Sequence, residues 1–437
     1  MILTNARILT FDRGNRVIQS GSVEVLPDGS IGRVIGSDEH VSPCTALRAG
    51  HKAEPSARTI DLRGRLLMPA LINCHTHLYS TLARGMPLRG ARPADFTAIL
   101  KKVWWRLDCA LSEEDVYYSA LLGLMDSARC GVGTVIDHHS SPKACAGSLD
   151  PIERAFQETG LRGATCYEVS DRNGPTSAQE GIQENVRFLE GRRPDCLVRG
   201  MFGLHAAFTL TDRTLSACAE ANQSVRGGFH VHVAEDRIDR AGVRRLEAAG
   251  ILDDRTIAAH CIHLTAADRD RLARHGVNVV HNPQSNNNNA VGVCDVPALV
   301  RRGVLVGLGS DGYSPRLWDE YKAALQMEKQ RAHDPRVHSP DLLWNNRAIV
   351  KKIWGVELGR IEAGARADLQ ILDYYPPTPI DSENLSGHLL FGIANAPVDS
   401  LMVEGRFVVR DKQFVNLDEH RIAEQAAIRA KALWERL

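Results

Sequence analysis

The sequence predicts an α/β protein: a (β/α)8 barrel of the TIM type with a small β-sandwich built by both chain ends. Three observations carry this. Eight short apolar runs alternate with helical stretches between residues 66 and 364, the pattern of buried parallel strands joined by crossover helices. Polar and titratable residues recur at the C-terminal ends of those runs, the face on which such a barrel carries its chemistry. Residues 1–65 and 365–437 are instead β-rich, short-stranded and broken by turns. A length of 437 residues suits a large barrel plus an accessory domain.

In chain order, residues 1–9, 16–26 and 31–35 read as strands, with Pro27-Asp28-Gly29-Ser30 as a turn. Residues 41–59, with Pro43, Gly50 and Pro55, read as loop. The apolar run 65–74 reads as one buried strand, the first of the barrel, ending in Cys74-His75-Thr76-His77. A long excursion follows over 78–111. Ser112 then caps a helix running to Arg129, with Asp115 three residues on and acids in its first turn, and Gly131 and Gly133 close it. Further strands are predicted at 134–137, 162–169, 198–204, 229–234, 256–259, 277–280 and 304–309, with helices at 148–159, 178–189, 239–249 and 266–275. Beyond the barrel, 321–354 is helical, 367–373 a strand, 376–379 a linker, 398–410 a hairpin around Gly405, and 419–437 a terminal helix.

Composition narrows the function classes. Lys+Arg and Asp+Glu balance at 53 each, so no field draws nucleic acid or an anionic membrane. No apolar run approaches the roughly 18 residues needed to span a bilayer, and the first residues lack the charged-then-apolar pattern of a signal peptide. Ten scattered cysteines form no CxxC pair and read as reduced, buried thiols of a cytoplasmic protein.

The chemistry gathers at the strand ends. His75 and His77 stand at i and i+2 of an extended chain, so both imidazoles project the same way and can chelate one ion. His232, on the fifth strand, and Asp311, after the eighth, extend this to three imidazoles and a carboxylate. That set suits one divalent ion, zinc first and iron as the alternative, with a position left for water. A bound cation lowers the pKa of such a water from about 15.7 to about 7. Glu235, just past the fifth strand, can shuttle protons. His260, ending the sixth strand, can hydrogen-bond the attacking oxygen or a developing oxyanion. His205, Arg84 and Asn286, the last within the polar loop 281–289, are candidate substrate contacts. His230 shares a strand face with His232 and reads as packing or support. Trp104 and Trp105 read as packing; His138, His139 and His263 take no role. A surface histidine or a turn aspartate explains any one of these positions, but not their joint fall on one rim.

With those residues in place, the chain resembles the amidohydrolase superfamily, in its cytosine deaminase, chlorohydrolase and S-adenosylhomocysteine deaminase branch. The resemblance rests on Leu67-Met68-Pro69-Ala70-Leu71-Ile72-Asn73-Cys74-His75-Thr76-His77, Gly203-Leu204-His205-Ala206, His230-Val231-His232-Val233-Ala234-Glu235, Ala259-His260 and Gly309-Ser310-Asp311. Val103-Trp104-Trp105-Arg106-Leu107-Asp108, Asp137-His138-His139-Ser140-Ser141-Pro142 and the loop from His281 to Gly292 are similar to the SsnA-type aminohydrolases in particular. Essentially the whole chain is covered. The resemblance implies a mononuclear centre held by His75, His77, His232 and Asp311, with Glu235 as proton shuttle, His260 beside the attacking water and His205 on the substrate. Binuclear relatives carry a bridging carboxylated lysine on a middle strand; none lies on 162–169 or 198–204, so one metal is expected.

It further implies hydrolytic deamination of a small nitrogen heterocycle, purine- or pterin-like, by a metal-bound water deprotonated with help from Asp311, in a homodimer. Dechlorination or cyclic-amide hydrolysis on the same site is the alternative. A non-catalytic scaffold of this fold is the reading from another class; it predicts lost ligands, whereas the full set is present. Ala70 replaces the usual glycine, and the segments 235–251 and after Pro335 are short for the subgroup, departures that bear on specificity.

Overall fold

The structure, a computed structural model, describes residues 1–36, 58–88, 90–192, 196–337, 339 and 341–437. The loop predicted at 41–59 lies outside the described residues except for its last two positions, and Cys44 lies outside them as well. The other nine cysteines are free thiols. Two compact units are present: Met1–Leu71 with Val356–Val415, and Ile72–Gly355 with Asn416–Leu437.

The first unit is a nine-stranded sheet to which both ends of the chain contribute. Ile2–Leu9 pairs antiparallel with Val17–Val25 and parallel with Leu66–Pro69. Leu66–Pro69 in turn pairs antiparallel with Leu369–Leu372, which leads on to Val398–Val403 and Arg406–Arg410. Leu3, Ile8, Val23, Leu67, Leu369 and Met402 fill its core. The single strand expected at 65–74 is therefore two strands, Leu66–Pro69 in this sheet and Leu71–Thr76 in the barrel. Both are buried throughout, so hydrophobic periodicity gives no sign of the switch. It falls at Ala70, whose N–H donates to Asp368 O at 2.9 Å. Ala70 stays out of the left-handed region, so the expected glycine is not required there.

The second unit carries the barrel. Leu71–Thr76, Val132–Asp137, Arg162–Thr165 and Val198–Gly200 form one sheet. Phe202–Ala206, Phe229–Val233, Ile257–His260, Asn278–His281 and Leu305–Leu308 form a second, parallel one. The fourth strand is split at Met201 between the two. Parallel bridges Val169–Leu204 and Thr76–Asp311 join the sheets into a ring. At the seam between first and eighth strands, Asn346 Nδ2 donates to Ile72 O (2.5 Å) and Leu308 O (2.8 Å), and its Oδ1 accepts from Leu308 N–H (2.8 Å).

Helix Glu113–Arg129 begins with the expected cap: Ser112 Oγ accepts from Asp115 N–H, and Asp115 Oδ2 accepts from Ser112 N–H. The terminal helix Glu419–Glu435 groups with this unit and not with the sheet, contrary to the expected 365–437 segment. The reason is Asp115, fully buried, whose carboxylate receives Arg429 Nε at 3.1 Å and Arg436. Trp434 Nε1 also donates to Leu82 O at 2.9 Å. Asp115→Ala removes the carboxylate half of the capping box and one acceptor from each of Arg429 and Arg436, which keep Glu114 and Ala110 O as partners, so it is expected to destabilise the protein by about 1–2 kcal/mol, read as a fall in the urea midpoint. The helix expected over 321–354 is two, Leu317–Ala332 and Asn345–Trp354, the first ended by His333 in the left-handed region (φ 50°). Among the described residues no helix is long and apolar enough to cross a membrane.

Candidate active site at the barrel rim

Four donor atoms from three distant segments meet at the C-terminal rim. His77 Nε2 and His232 Nε2 lie 3.1 Å apart, and Asp311 Oδ1 is 3.1 Å from His77 Nε2 and 3.7 Å from His75 Nε2. The opposite edge of each ring is already engaged. His77 Nδ1–H donates to His138 O (2.6 Å), His232 Nδ1–H to His205 O (2.8 Å), and His75 Nδ1 faces His230 Nε2 (2.8 Å). With Nδ1 protonated, the neutral rings of His75 and His232 each present an Nε2 lone pair. His232 Nε2 is 3.1 Å from His77 Nε2, and His75 Nε2 is buried without a hydrogen-bond partner among the described residues. Burial pushes the His75 and His232 pKa values well down, keeping the rings neutral. Burial also works against charge on His77, yet the adjacent Asp311 carboxylate holds its pKa up at about 9. The cluster therefore calls for a cation at its centre, and three imidazoles with one carboxylate fit zinc or iron.

Asp311 is gripped by the first strand. Its N–H and that of Ser310 both donate to His75 O (3.0 and 2.9 Å), and Thr76 Oγ1 donates to Asp311 O (2.8 Å). Asp311 and His260 both have positive φ, 53° and 71°, backbone strain of the sort found at functional sites. Gly309 stands two residues before Asp311 because the strands nearly touch: a Cβ there would lie 2.6 Å from Asn282 Oδ1 and 2.8 Å from both His75 O and His75 Cβ. Gly309→Ala is expected to displace His75 and destabilise the protein by about 1–3 kcal/mol, with a matching loss of metal affinity in a chelator competition.

Around this cluster stand the acid–base groups. Glu235 Oε2 is 3.6 Å from His260 Nε2, and burial raises its pKa to about 7. His260 Nε2 also lies 3.9 Å from Asp311 Oδ2, and its Nδ1 is held by Asn286 Oδ1 at 2.8 Å. Asn286 is fully buried and absent from the cavity wall; it orients His260, where sequence suggested a substrate contact. Ser285 Oγ donates to Asp311 Oδ2. His205 does face the cavity, its Nδ1 tied to Thr209 Oγ1 at 2.7 Å. Arg84 does not: its exposed side chain pairs with Asp126 at 2.6 Å, outside the cavity wall.

The cavity above the cluster has a volume of about 210 Å³ and a mixed lining. Trp104 and Trp105, read from sequence as packing, both line it, with Phe96 and Leu100. Three charged residues with no role in the sequence reading, Asp108, Glu168 and Arg172, line it too. Their only signal was a carboxylate inside the apolar run 162–169 and an aspartate beside the tryptophan pair. His138 and His230 act behind the cluster, the first through its carbonyl on His77, the second on His75.

A parallel barrel with hydrolytic groups converging on its C-terminal rim defines a class, the barrel hydrolases. The amidohydrolase family model matches residues 66–408, and the chain belongs to that family. It is similar to the 5'-deoxyadenosine deaminase of Methanosarcina mazei, 29% identical over 100% of this chain and 99% of the relative. It is likewise similar to the 5-methylthioadenosine/S-adenosylhomocysteine deaminase of Desulforudis audaxviator, 29% identical over 86% and 89%. Among solved structures, the zinc-bound adenosine deaminase of Xanthomonas campestris superposes with a TM-score of 0.83 at 22% identity, covering 99% of this chain and 98% of that one. Atrazine chlorohydrolase TrzN of Arthrobacter aurescens, complexed with zinc, gives 0.80 at 19% identity over 98% and 99%.

Proposed function

We propose that this chain is a metal-dependent aminohydrolase that releases ammonia from an aminated purine-like ring. The observation that carries the reading is the gathering of His77 Nε2 and His232 Nε2, 3.1 Å apart, with Asp311 Oδ1 3.1 Å from His77 Nε2 and 3.7 Å from His75 Nε2. When bound there, the ion, zinc in this reading, acidifies and positions the water that adds to the ring. The residues do the rest. Glu235 takes the proton of that water and gives it to the ring nitrogen beside the attacked carbon, then assists the departing amine. A pKa of about 7 suits a group that must accept and then release a proton. His260, fixed by Asn286, hydrogen-bonds the oxygen as it attacks. The aromatic wall covers the ring and keeps bulk water out. In sum water adds, the C–N bond to the amino group breaks, and the ring carbon is left as a carbonyl. The relatives named as deaminases of adenine-containing compounds support the same reaction class.

The test is ammonia release by zinc-loaded protein from aminated purines, their nucleosides and pterin. Turnover of at least one such ring is expected. Turnover confined to chlorinated triazines or cyclic amides would overturn the reading.

A further inference from the structure

One buried acid near the site has no part in the reaction. Glu320, in the first turn of the helix Leu317–Ala332, is fully buried and lies outside the wall of the catalytic cavity. Burial, with the Asp311 and Asp319 carboxylates nearby, pushes its pKa well up. A carboxyl group so placed is costly to bury unless its oxygens are met. Both are met by one residue. Oε2 accepts from the Gln284 backbone N–H at 3.0 Å, and Oε1 from Gln284 Nε2 at 3.1 Å.

Gln284 is the second residue of the helix Pro283–Asn288. Six residues are under two turns, too few to hold a place by themselves. The piece is tied to Leu317–Ala332 again through Asn287, whose Nδ2 donates to Met327 Sδ at 3.0 Å. Between these ties stand Ser285 and Asn286. Ser285 Oγ donates to Asp311 Oδ2, and His260 Nδ1–H donates to Asn286 Oδ1 at 2.8 Å. The first contact leaves Asp311 Oδ1 toward the imidazoles, 3.1 Å from His77 Nε2. The second turns His260 Nε2 toward Glu235 Oε2, 3.6 Å away. Two groups at the ends of two strands thus take their orientation from adjacent residues of one short helix.

We propose that Glu320 is a positioning residue: through Gln284 it fixes the helix Pro283–Asn288, and the helix fixes which Asp311 oxygen faces the imidazoles and where His260 Nε2 points. The roles of Asp311 and His260 rest on the aminohydrolase reading above; Glu320 itself touches neither substrate nor ion. A slip of the helix displaces both groups at once, and a misplacement of about 1 Å costs about 100-fold in rate.

The experiment has two readouts on the full chain. Cobalt(II) replaces zinc, and its visible bands report the ligand geometry with no substrate present. The zinc-loaded chain is assayed for ammonia release from the best ring of the set named above. Glu320→Ala is expected to shift the cobalt bands and to lower kcat per metal-loaded molecule by about 10- to 100-fold, with KM within about threefold. Glu320→Gln is the rescue. Its amide oxygen still accepts from Gln284 N–H, and its amide nitrogen donates to a turned Gln284 amide, so the parent's bands and a kcat within about threefold of the parent are expected. Gln284→Ala removes one of the two bonds and covers the case in which Glu320→Ala does not fold; its bands should shift in the same direction. A merely structural Glu320 would lower the melting temperature and leave bands and kcat alone. The parent's bands in Glu320→Ala, or in Gln284→Ala where that variant stands in, overturn the proposal whatever the rate. So does a Glu320→Gln variant as impaired as Glu320→Ala, which would make charge and not position the cause. Shifted bands in a chain that releases ammonia from no ring uphold the positioning role and sink the aminohydrolase reading. A chain that takes up no cobalt sinks both.

Discussion

Glu235→Gln is expected to lower the rate constant for ammonia release by about 1,000-fold while the protein keeps its full metal content. The change is isosteric, so the buried site keeps its packing; what disappears is the group that carries a proton from water to ring. Among the described residues Glu235 belongs to none of the groups whose donor atoms lie close enough together to share an ion, and it stands 3.6 Å from His260 Nε2. Steady-state kinetics and metal analysis on the same preparation check both halves. Loss of metal in parallel with activity would make Glu235 a ligand and reassign the proton transfer.

His232→Ala should act the other way, through the ion itself. Deleting this ring removes one of three Nε2 donors and leaves His77 Nε2 facing an enlarged polar gap. A ligand lost from a four-donor set is expected to weaken metal binding by at least about 100-fold, beyond what is typical of removing a supporting group. Chelator competition gives the affinity. Unaltered metal content in His232→Ala would remove the fifth strand from the centre, and with it the proposed mechanism.

Sequence made the donor atoms legible because their geometry is local. An i, i+2 pair on a strand needs only the strand to be recognised, and His232, His260 and Asp311 follow from the strand-end rule. Glu235 was accessible by the same logic, three residues past a ligand. The rest failed where orientation decides. Arg84 is near His77 in sequence, but the intervening 3-10 turn Leu78–Ala83 carries it to the surface. Asn286 is on the right loop, yet its amide is turned onto His260. Trp104 and Trp105 are large apolar side chains of the kind that fill cores, and nothing in residue type tells a cavity wall from a packed interior. Glu168 and Arg172 come together through a turn after the third strand, Asp171–Asn173, that no motif announces. The missed break at Ala70 is a similar case, two consecutive buried strands with one continuous hydrophobic signature.

The bridge between Thr76 and Asp311 has a consequence for how the molecule tolerates chelation. In the proposed centre the same few residues that would hold the ion also fasten the last strand of the ring to the first, so a bound ion would act as a clasp. Stripping it should unlatch one edge locally before anything melts globally. Amide hydrogen exchange at Ser310, Asp311 and His77 would quicken in the stripped protein, with the strand at Val198–Gly200 on the far side of the ring remaining as slow as before.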